Sequence, residues 1–298
     1  MGKFISFISI TRLDKPIGIY LLLYPSLIAF LFATNDLLDS ADLYSLEVQE
    51  LLLNSLVIII LGCILVRSAG CVINDIFDYK FDKRVSRTKG RPIANGSLSL
   101  SEAWIIFITL GILSILLLIQ TNPQTILIGC ITALLIVIYP LTKRFILGPQ
   151  FFLAITFGGC IPIVFSMLGQ IHNSEVILLY IANAAWIISY DTFYAMGDAE
   201  DDIKIGINST PLWWKDNTIF LIKIFQLIFI STLLILGLLE SFSFLWFAGV
   251  ISLLLFFYYQ HTLAKKEKFL EAFKNNNYVG LSLLLILLIE LNLDKLTP

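Results

Sequence analysis

The chain has few of the residues that soluble enzymes most often use to hold a transition metal. It contains only two histidines, His172 and His261, far apart in sequence, which excludes a histidine-based metal site or a histidine-centred triad. The four cysteines, Cys63, Cys71, Cys130 and Cys160, sit in apolar runs and form no CxxC pair. Neither a disulfide framework nor a zinc site is therefore expected, and the cysteines read as small core residues. Charge is scarce as well. Charged residues make up 14% of the 298 and hydrophobic ones 58%, against about 45–50% apolar in a soluble domain. Basic residues are absent from every second loop, including the acidic stretch from Asn35 to Glu50. No secretory leader is expected, because the first apolar run is long and lacks a small-residue cleavage pattern.

What is present is a series of apolar runs that begin near Ile17, Leu51, Trp104, Gln124, Phe151, Val176, Thr218, Phe242 and Tyr278. A spanning helix needs about 20 residues. The expected architecture is all-α: a single domain over residues 1–298, a polytopic integral membrane protein with nine transmembrane helices. The Gln124 run and the last one are short and are expected to tilt little or to lie partly at the interface. Pro25, Pro140 and Pro162 fall in or at the ends of runs, where a kink is tolerated. Lysine and arginine collect before the first span and after the second, fourth, sixth and eighth. The positive-inside rule then puts the N-terminus and all basic loops in the cytoplasm and the C-terminus in the periplasm.

Two acid clusters end apolar runs on that same side. If the helix carrying Arg67 and Cys71 continues, Asn74, Asp78 and Asp82 fall at i, i+4 and i+8 on one face, with Asp75 one position round. In the second cluster Asp191, Asp198 and Asp202 are spaced i+7 and then i+4, one helical face for the second time, so two helices are expected to end in matching acidic stripes. An offset of 120 residues lays Asp78 and Asp82 over Asp198 and Asp202, a faint repeat that would set spans two and six facing each other. Carboxylates stacked near hydrocarbon repel one another and call for cations.

Around the first cluster stand Arg87, Lys89 and Arg91, and near the second Lys204, with Lys143 and Arg144 in a third loop. Carboxylates holding Mg2+ beside cationic side chains suit a diphosphate, since Mg2+ keeps few protein ligands and takes phosphate oxygens for the rest. Walls of membrane helices suit a diphosphate with a lipid tail. Arg67 lies inside the second span, where a charge costs about 2.5–3.5 kcal/mol unless paired. Its partner is either a cluster acid or an anionic ligand.

The motifs Asn74-Asp75-x-x-Asp78-x-x-x-Asp82 and Asp198-x-x-x-Asp202 resemble the NDxxDxxxD and DxxxD motifs of the UbiA-type intramembrane aromatic prenyltransferases. The likeness extends to Arg12-Leu-Asp-Lys-Pro-Ile-Gly18, Arg87-Thr-x-x-Arg91-Pro92, Tyr190-Asp191-Thr192, Asp202-Ile-Lys-Ile-Gly206 and Asn275-Asn-Asn-Tyr-Val-Gly280, and within the family it is similar to the bacterial 4-hydroxybenzoate polyprenyltransferases. The resemblance implies nine helices around a central cavity open to the cytoplasm, in a bacterial inner membrane. It implies Mg2+-dependent transfer of a polyprenyl chain from polyprenyl diphosphate to the carbon beside the hydroxyl of 4-hydroxybenzoate, in ubiquinone synthesis.

Carried over by residue, Asn74, Asp75, Asp78, Asp82, Asp198 and Asp202 would serve the Mg2+ site, with Arg87, Lys89, Arg91 and Lys204 on the diphosphate. Arg144, with Arg67 as the second candidate, would meet the carboxylate of the aromatic acid. Asp191, or a water it holds, would accept a phenol or ring proton. Relatives often carry a basic residue where Ala199 stands. A phosphotransferase acting on nucleotide-activated alcohols would need Gly directly after an early Asp pair, where Tyr79 follows Asp78 here. An ion-coupled transporter would carry its ionisable groups near the bilayer midplane rather than at helix ends.

Overall fold

A computed structural model describes residues 2–40, 45–85 and 87–292; the C-terminal residues 293–298, expected in the periplasm, lie outside them. The described chain is helical, with α1 (Lys3–Ile10), α2 (Ile17–Ser40), α3 (Leu46–Asp82), α4 (Leu100–Leu118), α5 (Pro123–Thr142), α6 (Pro149–Gly158) and α7 (Cys160–Met167). After these come α8 (Ser174–Met196), α9 (Ala199–Ile205), α10 (Thr210–Trp214), α11 (Thr218–Leu239), α12 (Phe244–Ala264) and α13 (Phe269–Glu290). Nine segments among the described residues are long and apolar enough to cross a bilayer. Large apolar side chains face outward, as on α4, where Ile105, Ile108, Ile112 and Ile115 are all exposed. That surface is stable only against lipid.

Span two is a single 37-residue helix, α3, about 55 Å long at 1.5 Å per residue. A hydrocarbon core of about 30 Å cannot contain it, so its last turns, which carry the first acid cluster, reach past the apolar layer. Ser45 caps its start by accepting from the Val48 N–H at 3.3 Å, and no proline interrupts it.

The fifth span is broken into α6 and α7. Pro162 has no N–H to offer the Gly158 carbonyl. The glycines at the break are also contact points: a Cβ on Gly158 would lie 2.9 Å from the Tyr180 ring, and one on Gly159 2.6 Å from the Thr132 hydroxyl. Neither run read as short in sequence is short in the structure. The fourth span is 20 residues long and the ninth 22, the latter beginning at Phe269 rather than near Tyr278.

The first turns of the ninth span escape a hydropathy reading because they contain Asn275, Asn276 and Asn277, which look like a loop. Each turns to a different helix. Asn275 accepts from Gln260 of α12 at 3.2 Å, Asn276 from the Trp186 indole of α8 at 2.8 Å, and Asn277 from the Tyr24 hydroxyl of α2 at 3.1 Å. Polar side chains paired between helices are tolerated in a bundle interior.

Trp186 is fully buried and stacks on Phe229 of α11 with centroids 5.6 Å apart. On its other side it meets Gly280 of α13: a Cβ there would lie 2.8 Å from Trp186 and 2.4 Å from the Tyr24 ring. Neither ring has a flexible end to move aside. Gly280→Ala is therefore expected to destabilise the bundle by about 1–3 kcal/mol through overpacking, read as a lower melting temperature of the purified protein in detergent, whereas Gly111→Ala, with open space around it, should not.

Candidate active site

The first stripe forms as its spacing requires. Asn74, Asp78 and Asp82 stand one above another at the end of α3, and Asp75, Asp78 and Asp82 are all buried. Buried carboxylates need cations, and each receives one from a segment distant in sequence or from the following loop. Arg12, between α1 and α2, donates to both oxygens of Asp75 at 2.8 Å. It holds that position with a left-handed backbone, φ 59°, a conformation that costs a non-glycine residue about 1 kcal/mol or more. Arg91 lies 3.0 Å from Asp75 and bonds both oxygens of Asp82 at 3.0 and 3.1 Å. Burial works against its charge, and Asp75 and Asp82 more than offset that, so its pKa rises. Lys143, just after α5, donates to Asp78.

Arg144 also belongs to this cluster, although it comes from a third loop. It approaches Asp78 to 3.9 Å, donates to the Phe77 carbonyl at 3.0 Å and lies 5.2 Å from the centroid of the Phe81 ring. A turn of sequence after α5 folds directly onto the last turn of α3.

The second cluster is not one helical face. α8 ends at Met196, Gly197 turns the chain, and Asp198 is the N-cap of the separate helix α9. Asp191 therefore sits on a different helix from Asp202, and the equivalence with the first cluster fails at Gly197. Asp198 is gripped through two bonds by Arg87, one of them Nε to Oδ1 at 2.6 Å. The Arg87 guanidinium lies 5.1 Å from the Tyr194 ring centroid. Asp202 has no ion pair among the described residues; burial and then the neighbouring Asp198 push its carboxyl up to about 7, against the pull of Lys143. Lys204 turns outward to Asp201 at 3.2 Å, and Lys89 is exposed. A cavity of about 380 Å3 opens over the Arg87–Asp198 pair, with Lys268 and Phe269 from the start of α13 on its far wall.

Among the described residues Arg67 forms no ion pair with a cluster acid. Its guanidinium lies 5.4 Å from the Phe157 ring centroid and rests on Gly18, where a Cβ would come within 2.4 Å of Nε. That Nε is buried and has no hydrogen-bond partner, as is the Tyr190 hydroxyl. Tyr139, Tyr190 and Tyr194 surround it. Asp191 lies within electrostatic reach of both Arg67 and Lys143, beside Gln150, whose amide oxygen accepts from the Thr210 N–H at 2.9 Å.

The donor set suits a hard divalent cation such as Mg2+, which takes oxygen ligands. The Asp78 Oδ1 is buried without a hydrogen-bond partner, and Asp202 and Asn74 are unengaged by any cation. Among the described residues no three His, Cys, Asp or Glu side chains stand close enough to hold an ion, and Lys143 and Arg87 pair with Asp78 and Asp198.

Sequence reasoning did not assign a role to Arg12, Gly18 or Lys143. The first two were visible only as members of a motif, and Lys143 as the neighbour of Arg144. Lys268 carried no signal, because it reaches the site only through the turn between α12 and α13.

Residues 21–281 match the sequence profile of the UbiA prenyltransferase family. The chain is 38% identical over 283 residues to a 4-hydroxybenzoate octaprenyltransferase of Aliivibrio fischeri strain MJ11, covering 94% of each. Its fold is similar to that of a UbiA homolog from Aeropyrum pernix K1, with a TM-score of 0.76 and 18% identity over 92% of this chain and 98% of that one. It is also similar to a UbiA homolog from Archaeoglobus fulgidus bound to GPP and Mg2+, with a TM-score of 0.67 and 16% identity over 94% and 99%.

A carboxyl that titrates near 7 must lose its proton before it can bind a cation. Apparent Mg2+ affinity, measured by calorimetry on the purified protein, is therefore expected to fall as pH drops below about 7, approaching tenfold per unit. Asp202→Asn should flatten that dependence.

Proposed function

Because the chain belongs to the UbiA prenyltransferase family, we propose that it transfers a polyprenyl chain from polyprenyl diphosphate to the ring carbon beside the hydroxyl of 4-hydroxybenzoate, releasing diphosphate, in ubiquinone synthesis. The observation that carries the reading is the pairing of two acid clusters with cationic side chains at one mouth of the bundle and, among the described residues, a buried arginine without an ion pair further in. Two anionic substrates need two kinds of site. The protein acts as one domain in a bacterial inner membrane, with the N-terminus and both acid clusters on the cytoplasmic side and the C-terminus in the periplasm, as its basic loops require.

Asn74, Asp78, Asp198 and Asp202 are the oxygen donors for Mg2+ in this reading. Asp75 and Asp82 instead fix Arg12 and Arg91, which already use their oxygens. Bound Mg2+ would neutralise the diphosphate as negative charge builds on it. Lys143 and Arg87, released from Asp78 and Asp198, turn to the phosphate oxygens. Arg91 stays charged beside them, while exposed Lys89 and outward-turned Lys204 contribute at most to capture. The allylic C–O bond breaks with its electron pair leaving on the diphosphate, and the ring carbon attacks the allylic cation to form the new C–C bond. The ring proton then passes to Asp191 or to a water it holds. The rings of Tyr190, Tyr194 and Phe157 shield the cation and exclude water that would capture it.

The structure favours Arg67 over Arg144 for the carboxylate of the aromatic acid. Arg67 forms no ion pair among the described residues, although Asp191 lies within its electrostatic reach, whereas Arg144 is held at Asp78 and the Phe77 carbonyl. A guanidinium can grip a carboxylate through two parallel bonds that lysine cannot make.

Activity is expected to require Mg2+, and Asp78→Asn or Asp198→Asn should remove most of it in membranes with protein levels matched. Near-normal turnover in both variants would refute the two-cluster site. With each substrate varied separately, Arg67→Lys should raise the KM for 4-hydroxybenzoate about tenfold, roughly 1.4 kcal/mol, with a smaller change for polyprenyl diphosphate. Gly18→Ala should move it in the same direction by displacing the guanidinium. A selective rise in Arg144→Lys alone would return the carboxylate to Arg144.

A further inference from the structure

Beside the site, at the same mouth of the bundle, α2, α12 and α13 enclose a groove of about 450 Å3. Two cations line it, Lys15 and Lys274, and among the described residues neither has an acidic partner. The one acid on the wall, Glu271, is already taken by Lys268 at 3.1 Å. Tyr20, Tyr259 and Tyr278 line the rest and are 41%, 51% and 57% exposed. They lie on the lipid-facing side of helices that cross the bilayer. Tyrosines in this position sit at headgroup level, ring towards the acyl chains and hydroxyl towards water.

The groove does not continue inward. One turn deeper, the Tyr24 ring fills the space over Gly280, and its hydroxyl bonds Asn277 at 3.1 Å. A ligand here stays at the perimeter.

We propose that this groove binds an anionic phospholipid of the surrounding bilayer, its phosphate between Lys15 and Lys274 and its acyl chains against the tyrosine surface. Unpaired positive charge beside an amphipathic, lipid-exposed wall is complementary to a phosphate carried on a hydrocarbon tail. A free phosphate would use the lysines and leave the tyrosines without purpose. Phosphatidylcholine would offset the lysines with its own ammonium group.

The test is native mass spectrometry of the full-length protein from vesicles of phosphatidylcholine mixed with phosphatidylglycerol. The wild type is expected to retain one phosphatidylglycerol in preference to phosphatidylcholine. Each lysine near an anionic headgroup contributes enough that the Lys15→Gln/Lys274→Gln double variant should lose that preference by about tenfold or more. Lys15→Arg/Lys274→Arg should keep it, and Lys265→Gln/Lys266→Gln, which removes the same charge from the adjacent turn, should leave it unchanged. If the glutamine double variant does not fold, the single variants decide, each with an expected loss of about threefold. Equal retention of the two lipids by the wild type would overturn the proposal, as would an equal loss in the Lys265/Lys266 variant. Glu271 and Lys274 also border the cavity over Arg87 and Asp198. Stoichiometric displacement of the lipid by geranyl diphosphate would therefore also overturn it, assigning the groove to substrate.

Discussion

Everything at the mouth of this bundle depends on the cost of stacking carboxylates where water is scarce. Asp75, Asp78 and Asp82 are buried within two turns of one helix, and three ionised groups at that spacing repel strongly unless positive charge lies among them. The chain supplies it from separate places: Arg12 before the first span, Arg91 in the loop after α3, and Lys143 and Arg144 after α5. Each pairing is also a tertiary contact. The acids therefore fix where the loops lie, and the loops bring the second cluster within reach through Arg87.

The same electrostatics accounts for the division of labour between the arginines. A guanidinium close to a carboxylate is held by it, and its role is limited to fixing that acid or exchanging it for another anion. Arg67, seated on Gly18 among tyrosines with a buried Nε unpartnered, has no such tie. Its position costs folding energy that a structural ion pair would have offset. Asp191 is within electrostatic reach but forms no ion pair with it, so in the proposed reaction a bound anion is the partner that would complete the compensation.

Much of the fold was legible in the sequence because membranes enforce it. Apolar runs of spanning length, alternation of basic loops and i, i+4 spacing of acids each follow from one physical rule, and nine spans and the first stripe are where those rules put them. Three features were hidden. The break between Asp191 and Asp198 depends on Gly197 ending α8, and the pattern of carboxylates reads the same with or without it. The attachment of Arg144 to the first stripe depends on how the turn after α5 folds back, which no local spacing encodes. The early start of α13 was masked by its asparagines, since hydropathy scores a polar side chain without regard to the partner waiting on another helix.

Those asparagines set a condition on assembly. The ninth span leaves the ribosome after the three helices that it bonds, and it holds the hydrogen-bond partners of Trp186, Gln260 and Tyr24. Until it arrives, an indole N–H and an amide wait in hydrocarbon or in whatever water they can draw in. The earlier spans thus form an incomplete ring with polar groups along an open seam, and α13 closes that seam on three sides at once. Placing α13 is therefore a docking step as well as an insertion step, because its asparagines must meet three helices at once.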